Sequence, residues 1–222
     1  MSKIKLVVCG LEGRMGAAIS ELVEQNDAIE LIGSFEKLKS TQDAVDCVID
    51  FSSPDGFSES LSWCVETGSA FVSGTTGLSN ADFETLNKAS ANIPVLWAPN
   101  MSLGIQWMTQ VLKQFASLKN DFEFQMEELH HKHKVDAPSG TAIHLQKHLQ
   151  EAVSGKAEEP VAIRGGGIFG IHKVFAMGEE ETITLEHTAL NRKVFARGAL
   201  KAAEWIVSQK AGRYEMSQVL GF

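Results

Sequence analysis

The first hundred residues alternate between two hydrophobic periods. Short β-branched runs recur: KIKLVVCG (3–10), IELIGSF (29–35), CVIDFSS (47–53), AFVSGTTG (70–77) and IPVLWAPN (93–100). Each ends in turn-forming residues, and together they predict five strands. Between them, apolar residues fall at helical spacing. Met15, Ile19, Leu22 and Val23 follow Arg14; Phe57, Leu61, Trp63, Cys64 and Val65 follow Pro54; a third helix runs from a Ser79 cap to about Ala89. Strand and helix in strict alternation, with short connections, predict a parallel sheet covered by helices on both faces.

After Asn100 the pattern changes. A long helix is expected from Leu103 to about Leu118. In FEFQMEELHH, Phe122, Phe124 and Met126 alternate on one face, as in a half-solvated strand. A helix from Thr141 is expected to turn Ile143, Leu145, Leu149 and Val153 inward, and SGKAEEP (154–160) reads as a polar linker. GGG (165–167) precedes GIHKVFAM and ETITLEHTA, which read as antiparallel strands of a separate open sheet, and ARGALKAAEWIVSQ (196–209) closes the chain as a helix. The fold class expected is α/β. A Rossmann-like dinucleotide-binding domain (1–101 with 198–222) is joined to an α+β domain (102–197) for substrate binding and oligomerisation, with an open mixed sheet. An apolar sheet face needs cover, which self-association would supply.

Composition narrows the options. The 222 residues carry a net charge of −8, and the pI is about 5.4. That argues against wholesale binding to nucleic acid or to an anionic membrane. Any bound anion must meet a local basic site. Cys9, Cys47 and Cys64 stand in apolar contexts without metal spacing and read as reduced core residues of a cytoplasmic protein. The N-terminus lacks a signal-peptide pattern, and no apolar run approaches membrane-span length.

The first turn, GLEGRMG (10–16), places Gly10, Gly13 and Gly16 three apart between strand and helix, with Glu12 at the usual middle glycine. Gly10 permits a tight turn, Gly13 a close approach of backbone to a pyrophosphate, and Gly16 packing of helix on strand. The helix N-terminus offers N–H groups and a positive dipole end. Glu36, twenty residues on at the end of the second strand, suits ribose hydroxyls, and Lys37 could meet a 2′-phosphate, so NADH and NADPH are both candidates. GTTG (74–77) and APN (98–100) also end strands, where such sheets bind ligands.

The acidic chain gathers positive charge in ELHHKHKVDAPSGTA (128–142). The cluster could hold a metal, attract an anion, move protons or be a solvated turn. A metal is poorly served: three imidazoles, with His131 and His133 on one strand face and His130 on the other, lack further ligands. The following Pro138, Ser139, Gly140 and Thr141 point instead to a turn and a helix N-terminus, a carboxylate or phosphate site. Histidine titrates near neutrality, and a lysine amid other cations is expected to have a lowered pKa, so the cluster can also donate protons. The combination suggests a reductase. A catalytically silent NAD-binding sensor of an anionic metabolite, or another two-domain amino- or keto-acid dehydrogenase, would share the glycine loop.

This long motif resembles the signature of the 4-hydroxy-tetrahydrodipicolinate (dihydrodipicolinate) reductase family. GLEGRMG, DFSSP, SGTTG, APNMSLG, IRGGG and FARGALKAAEW resemble the family's segments in the same order. The resemblance implies NADH- or NADPH-dependent reduction of a cyclic dicarboxylate in lysine and diaminopimelate biosynthesis, by a homotetramer. It implies that His130 is a proton donor/acceptor and Lys134 a second donor. His131, Ser139, Gly140 and Thr141 would bind carboxylate. Cofactor contacts would come from Gly10, Leu11, Glu12, Gly13, Arg14, Met15, Glu36, Lys37, Gly74, Thr75, Thr76, Ala98, Pro99, Asn100 and Met101, and no metal is implied. Departures from the family pattern are Lys37 in place of a frequent arginine, Met101 in place of Phe, and a short KLKSTQDAVDC segment that encloses the adenosine side less. In GGGIFGIH, Ile171 replaces a frequent acid; that run reads as lying outside the site.

Overall fold

The computed structural model describes residues 2–39 and 44–222. The strands, numbered along the chain, are β1 (Ile4–Cys9), β2 (Ile29–Ser34), β3 (Cys47–Asp50), β4 (Ala70–Ser73), β5 (Pro94–Trp97), β6 (Glu123–His130), β7 (Val161–Arg164), β8 (Gly170–Met177), β9 (Thr182–Ala189) and β10 (Gly212–Tyr214). The helices are α1 (Arg14–Val23), α2 (Phe35–Leu38), α3 (Pro54–Thr67), α4 (Asn80–Ala89), α5 (Leu103–Leu112), α6 (Gly140–Ala152), α7 (Lys193–Ile206) and α8 (Met216–Val219). Two compact units result: Met1–Leu103 with Arg192–Phe222, and Gly104–Asn191.

In the first unit six parallel strands run in the order β10-β5-β4-β3-β1-β2. Both faces are buried, which is why the strands read as continuous apolar runs. Leu6, Val8, Ile49, Val72 and Leu96 meet Ile19 and Leu22 of α1 and Ala199, Ala203 and Ile206 of α7. The intervening residues Val7, Val48, Phe71 and Val95 meet Phe57, Leu61 and Cys64 of α3 and Leu86 of α4 on the other face. Helix starts are set by local chemistry. The Ser53 side chain accepts from the Gly56 N–H ahead of Pro54, and Ser79 and Asp82 form a reciprocal capping box on α4.

The second unit holds a mixed sheet, order β7-β6-β8-β9, with β6–β7 parallel and the other pairs antiparallel. Phe124, Met126, Val174 and Ala176 share a core with Leu145, Leu149, Val153 and residues of α5. The doubly covered parallel sheet and the separate mixed sheet are the fold class read from the sequence.

Several local expectations change. Strand β2 stops at Ser34, and Glu36 lies on the short helix α2, which buries Phe35. The helix expected to reach Leu118 is α-helical only to Leu112 and continues as a 3-10 helix over Lys113–Leu118. Ile143 is 57% exposed, because the buried stripe of α6 is Ala142, Leu145, Gln146 and Leu149. The closing helix begins at Lys193. Strands β7 and β10 were not foreseen. The short segment after Glu36 falls partly at 40–43, outside the described residues.

Candidate active site

In the first unit, the C-terminal ends of β1, β2, β4 and β5 carry the residues expected to hold a cofactor. Gly10 adopts φ +81, and a Cβ there would lie 2.5 Å from the Phe51 carbonyl oxygen. The Gly13 N–H donates to the Gly10 carbonyl at 3.0 Å and closes the turn. A Cβ on Gly16 would lie 2.0 Å from the Leu11 oxygen. The clearance Gly16 provides is thus to the loop's own backbone, rather than between helix and strand. Helix α1 starts without a side-chain cap and without an acid in its first turn. Glu12, Gly13 and Arg14 are exposed there. Leu11 and Met15 pack down on the core. Uncapped N–H groups beside an exposed glycine fit a pyrophosphate.

The Gly10 N–H donates to Glu36 Oε1 at 3.3 Å, which sets that carboxylate at the lip of the loop. Lys39 pairs with Glu59 at 2.7 Å, while Lys37 is exposed.

A buried knot ties the neighbouring loops together. Asp50, wholly buried, accepts from Ser52 Oγ at 2.5 Å and Ser73 Oγ at 2.7 Å. Burial raises its pKa against those bonds. The Ser52 N–H also reaches Thr75 Oγ1 at 3.0 Å, and Trp97 Nε1 donates to the Thr75 carbonyl at 2.9 Å. A Cβ on Gly74 would collide with the Phe51 ring at 2.1 Å; Thr76 and Pro99 are exposed. The Ala98 N–H donates to the Ser73 carbonyl at 3.0 Å, Asn100 Oδ1 accepts from the Ser102 N–H at 2.8 Å, and Met101 is buried.

In the second unit, the inner face of β6 continues from Phe124 and Met126 to Glu128 and His130, all buried. His130 Nδ1 is bonded to Glu128 Oε2. Glu128 Oε1 accepts from Arg164 Nη2 at 2.6 Å and from the Ser139 N–H at 3.1 Å. Arg164 Nη2 also donates to the Asp136 carbonyl at 2.6 Å. Ser139 caps α6 by accepting from the Ala142 N–H, and its Oγ lies 3.3 Å from His172 Nε2. The His130 and His172 rings meet edge to face at 5.3 Å.

Strand β6 ends at His130, so the expected two-face alternation stops there, and His131 and His133 occupy the following loop. Lys134 is not surrounded by cations alone: the Asp136 carboxylate lies 2.8 Å from its ammonium and is held below the usual carboxylate range by that bond.

The GGGIFGIH run, expected to lie outside the site, borders it. The Gly165 N–H donates to the His130 carbonyl at 2.9 Å, and the Lys132 N–H to the Gly166 carbonyl at 3.3 Å. A Cβ on Gly170 would lie 3.1 Å from His130 Nε2. Glu128, Arg164 and His172 are therefore parts of the cluster that motif reading missed. Two signals were present: Glu128 stands two residues before His130, hence on the same strand face, and Arg164 directly precedes the glycine triplet.

The electrostatics suit anion binding. Burial works to raise the Glu128 pKa, but its bonds from Arg164, His130 and Ser139 hold it below the ordinary value. Burial lowers the pKa of His130 against the pull of Glu128, and brings His172 down to about 4. Nothing lies within 4 Å of the Cβ positions of Gly140, Gly165, Gly166 and Gly167. Buried His131 Nδ1, His172 Nδ1 and Arg164 Nε lack hydrogen-bond partners. At the start of α6 the Gly140 N–H already meets the Asp136 carboxylate, so it is the partnerless buried atoms of His131, His172 and Arg164 that fit an anionic ligand.

Residues 4–101 match the family model described as dihydrodipicolinate reductase, N-terminus, and residues 104–220 match that for its C-terminus. The chain belongs to the dihydrodipicolinate reductase family. It is 49% identical over 225 residues to a 4-hydroxy-tetrahydrodipicolinate reductase of Bdellovibrio bacteriovorus, spanning 99% of this chain and 97% of that one. It is 37% identical over 250 residues to a 4-hydroxy-tetrahydrodipicolinate reductase of Zymomonas mobilis, at 99% and 98% coverage. The fold is shared with a dipicolinate-bound dihydrodipicolinate reductase from Paenisporosarcina sp. TG-14, at TM-score 0.83 and 21% identity, over 96% of this chain and 98% of that one. The dihydrodipicolinate reductase likeness read from the motifs thus extends along nearly the whole chain.

Proposed function

We propose that this chain reduces 4-hydroxy-tetrahydrodipicolinate to tetrahydrodipicolinate, with loss of water, using NADH or NADPH, in lysine and diaminopimelate biosynthesis. The observation that carries the reading is the cluster in which Arg164 and His172, each with a buried polar atom lacking a partner, meet Glu128, Ser139 and His130. A dicarboxylate satisfies such a set.

Cofactor would be held by Gly10, Leu11, Glu12, Gly13, Arg14 and Met15 at its phosphates, Glu36 and Lys37 at its adenosine ribose, and Gly74, Thr75, Thr76 and Ala98–Met101 nearer the ring. The bound nicotinamide supplies hydride. This chain's residues do the rest. Ser139, Gly140, Thr141 and His131 are assigned to the carboxylates, Ser139 through its hydroxyl because its N–H is donated to Glu128. Hydride addition to a conjugated C=N/C=C system builds negative charge, which His130 and Lys134 quench by protonation. We assign the substrate role to the second unit and the cofactor role to the first.

The reading is of a cytoplasmic homotetramer. Its three cysteines are free and buried, and no described helix is long and apolar enough to cross a membrane. Val161 and Ile163 on β7 are exposed at 51% and 41%. Ile163, Leu129 and Ile171 line up across β7, β6 and β8 as an apolar row that assembly would cover.

The test is turnover of enzymatically generated substrate, followed by loss of the reduced nicotinamide's absorbance. His130→Ala and Lys134→Ala are each expected to cut kcat by roughly 10²–10⁴-fold, with the Kd for NADH within about twofold of wild type. Unchanged kcat in both variants removes the proposed roles.

A further inference from the structure

We propose that Glu128 is a positioning residue: it fixes which imidazole nitrogen of His130 carries the proton and holds the end of the 131–139 loop to the sheet, so that His130 Nε2 and the Ser139 side chain are presented together. This deepens the reading of His130 as the proton donor and rests on it.

Glu128 has no solvent exposure. Unneutralised, such a carboxylate would cost several kcal/mol. It is held by groups from three parts of the chain: His130 on its own strand, Arg164 on β7, and the Ser139 N–H at the cap of α6. Strand register produces this convergence. Glu128 and His130 are two apart on one face; His130 pairs with Arg164 on β7, and Glu128 with His172 on β8. Arg164 also donates to the Asp136 carbonyl, so the far end of the histidine-lysine loop is fastened at Asp136 through Arg164 and at Ser139 through Glu128 itself.

The proton assignment follows from donor chemistry. An ionised carboxylate only accepts, and its three partners hold Glu128 ionised. His130 Nδ1 must therefore be the donor, which leaves Nε2 as the nitrogen that takes up and delivers a proton. Nε2 makes no hydrogen bond to a described protein group. A Cβ at position 170 would lie 3.1 Å from it, close enough that the ring would have to yield by a few tenths of an ångström.

The charged and titratable neighbours of His130 are Glu128 on its own strand, Arg164 on β7, His172 on β8 and Lys134 in the loop. Glu128 alone favours the imidazolium among them. A structural ion pair with Arg164 would need none of this to involve the His130 proton.

Glu128→Gln separates the two roles. The amide oxygen can still accept from Arg164 and Ser139, but the NH2 then faces Nδ1 and forces that nitrogen to accept. ¹⁵N NMR of the imidazoles in the full chain is expected to show neutral His130 protonated on Nδ1 in wild type and on Nε2 in the variant. The His130 titration should move to lower pH in the variant, and kcat should fall by roughly 10–100-fold with NADH affinity unchanged. Nε2–H as the wild-type neutral form overturns the proposal, and that measurement needs no variant. A Glu128→Gln protein that loses stability but keeps its tautomer and titration also overturns it, making Glu128 a structural ion pair only. Full activity in His130→Ala removes the donor role while leaving the tautomer result standing, so the two failures are distinguishable.

Discussion

At the lip of the glycine loop two neighbouring side chains have different freedoms. Glu36 is anchored by the Gly10 N–H, and Lys37 is exposed, with no ion pair among the described residues. Lys37 is therefore available to a 2′-phosphate, though without the two-pronged grip of arginine. Lys37→Ala is expected to raise KM for NADPH by roughly tenfold and to leave KM for NADH nearly unchanged in steady-state assays. His172 makes a second residue-level prediction. Its folded-state pKa of about 4 lies below the ordinary imidazole value of 6.5, so the unfolded chain binds the extra proton first. The stability it contributes is present above about pH 6.5 and is lost as pH falls toward 4. Denaturant titrations across that window should show stability falling with acid, and His172→Gln should flatten the slope. The titrating and anion-binding residues were legible because His, Lys and Ser-Gly-Thr cluster in sequence. Glu128 was not: an acid on an apolar strand face reads as polar alternation until Arg164, 36 residues away, is known to meet it.

Among the elements, two glycines show how little tolerance the contacts have. A Cβ on Gly198 of α7 would lie 1.7 Å from the Met101 carbonyl oxygen, and one on Gly16 of α1 would lie 2.0 Å from that of Leu11. Backbone is the obstacle in both cases, so a helix or a loop must shift. Gly198→Ala should cost about 1–3 kcal/mol and lower Tm by roughly 5 °C in thermal melts. Gly16→Ala should in addition weaken NADH binding, because the displaced loop is the one offered to phosphate. The strands of the parallel sheet were legible because two-sided burial writes itself as uninterrupted Val, Ile and Leu. Strands β7 and β10 span four and three residues, too few to display a period. Ile143 misled for a related reason: hydrophobicity marks a helical stripe only to within one position, and the inward place beside Leu145 went to Gln146.

For the whole molecule, the mixed sheet's outer row bears on assembly. If Ile163, Leu129 and Ile171 are covered by other copies, light scattering should give a tetramer. Val161→Lys combined with Ile163→Glu should then give smaller species whose circular dichroism is unchanged. A wild-type monomer at micromolar concentration would contradict the assembly. The order of the chain has a separate consequence. The sheet behind the glycine loop takes its sixth strand, β10, and its covering helix, α7, from residues that follow the entire second unit. During translation the first five strands leave the ribosome with one flank bare, and they wait while the intervening segment is synthesised, roughly 5–20 s at ordinary elongation rates. The inserted unit is contiguous and can mature in that interval. The sheet behind the glycine loop is thus completed only after the unit inserted into it has been made.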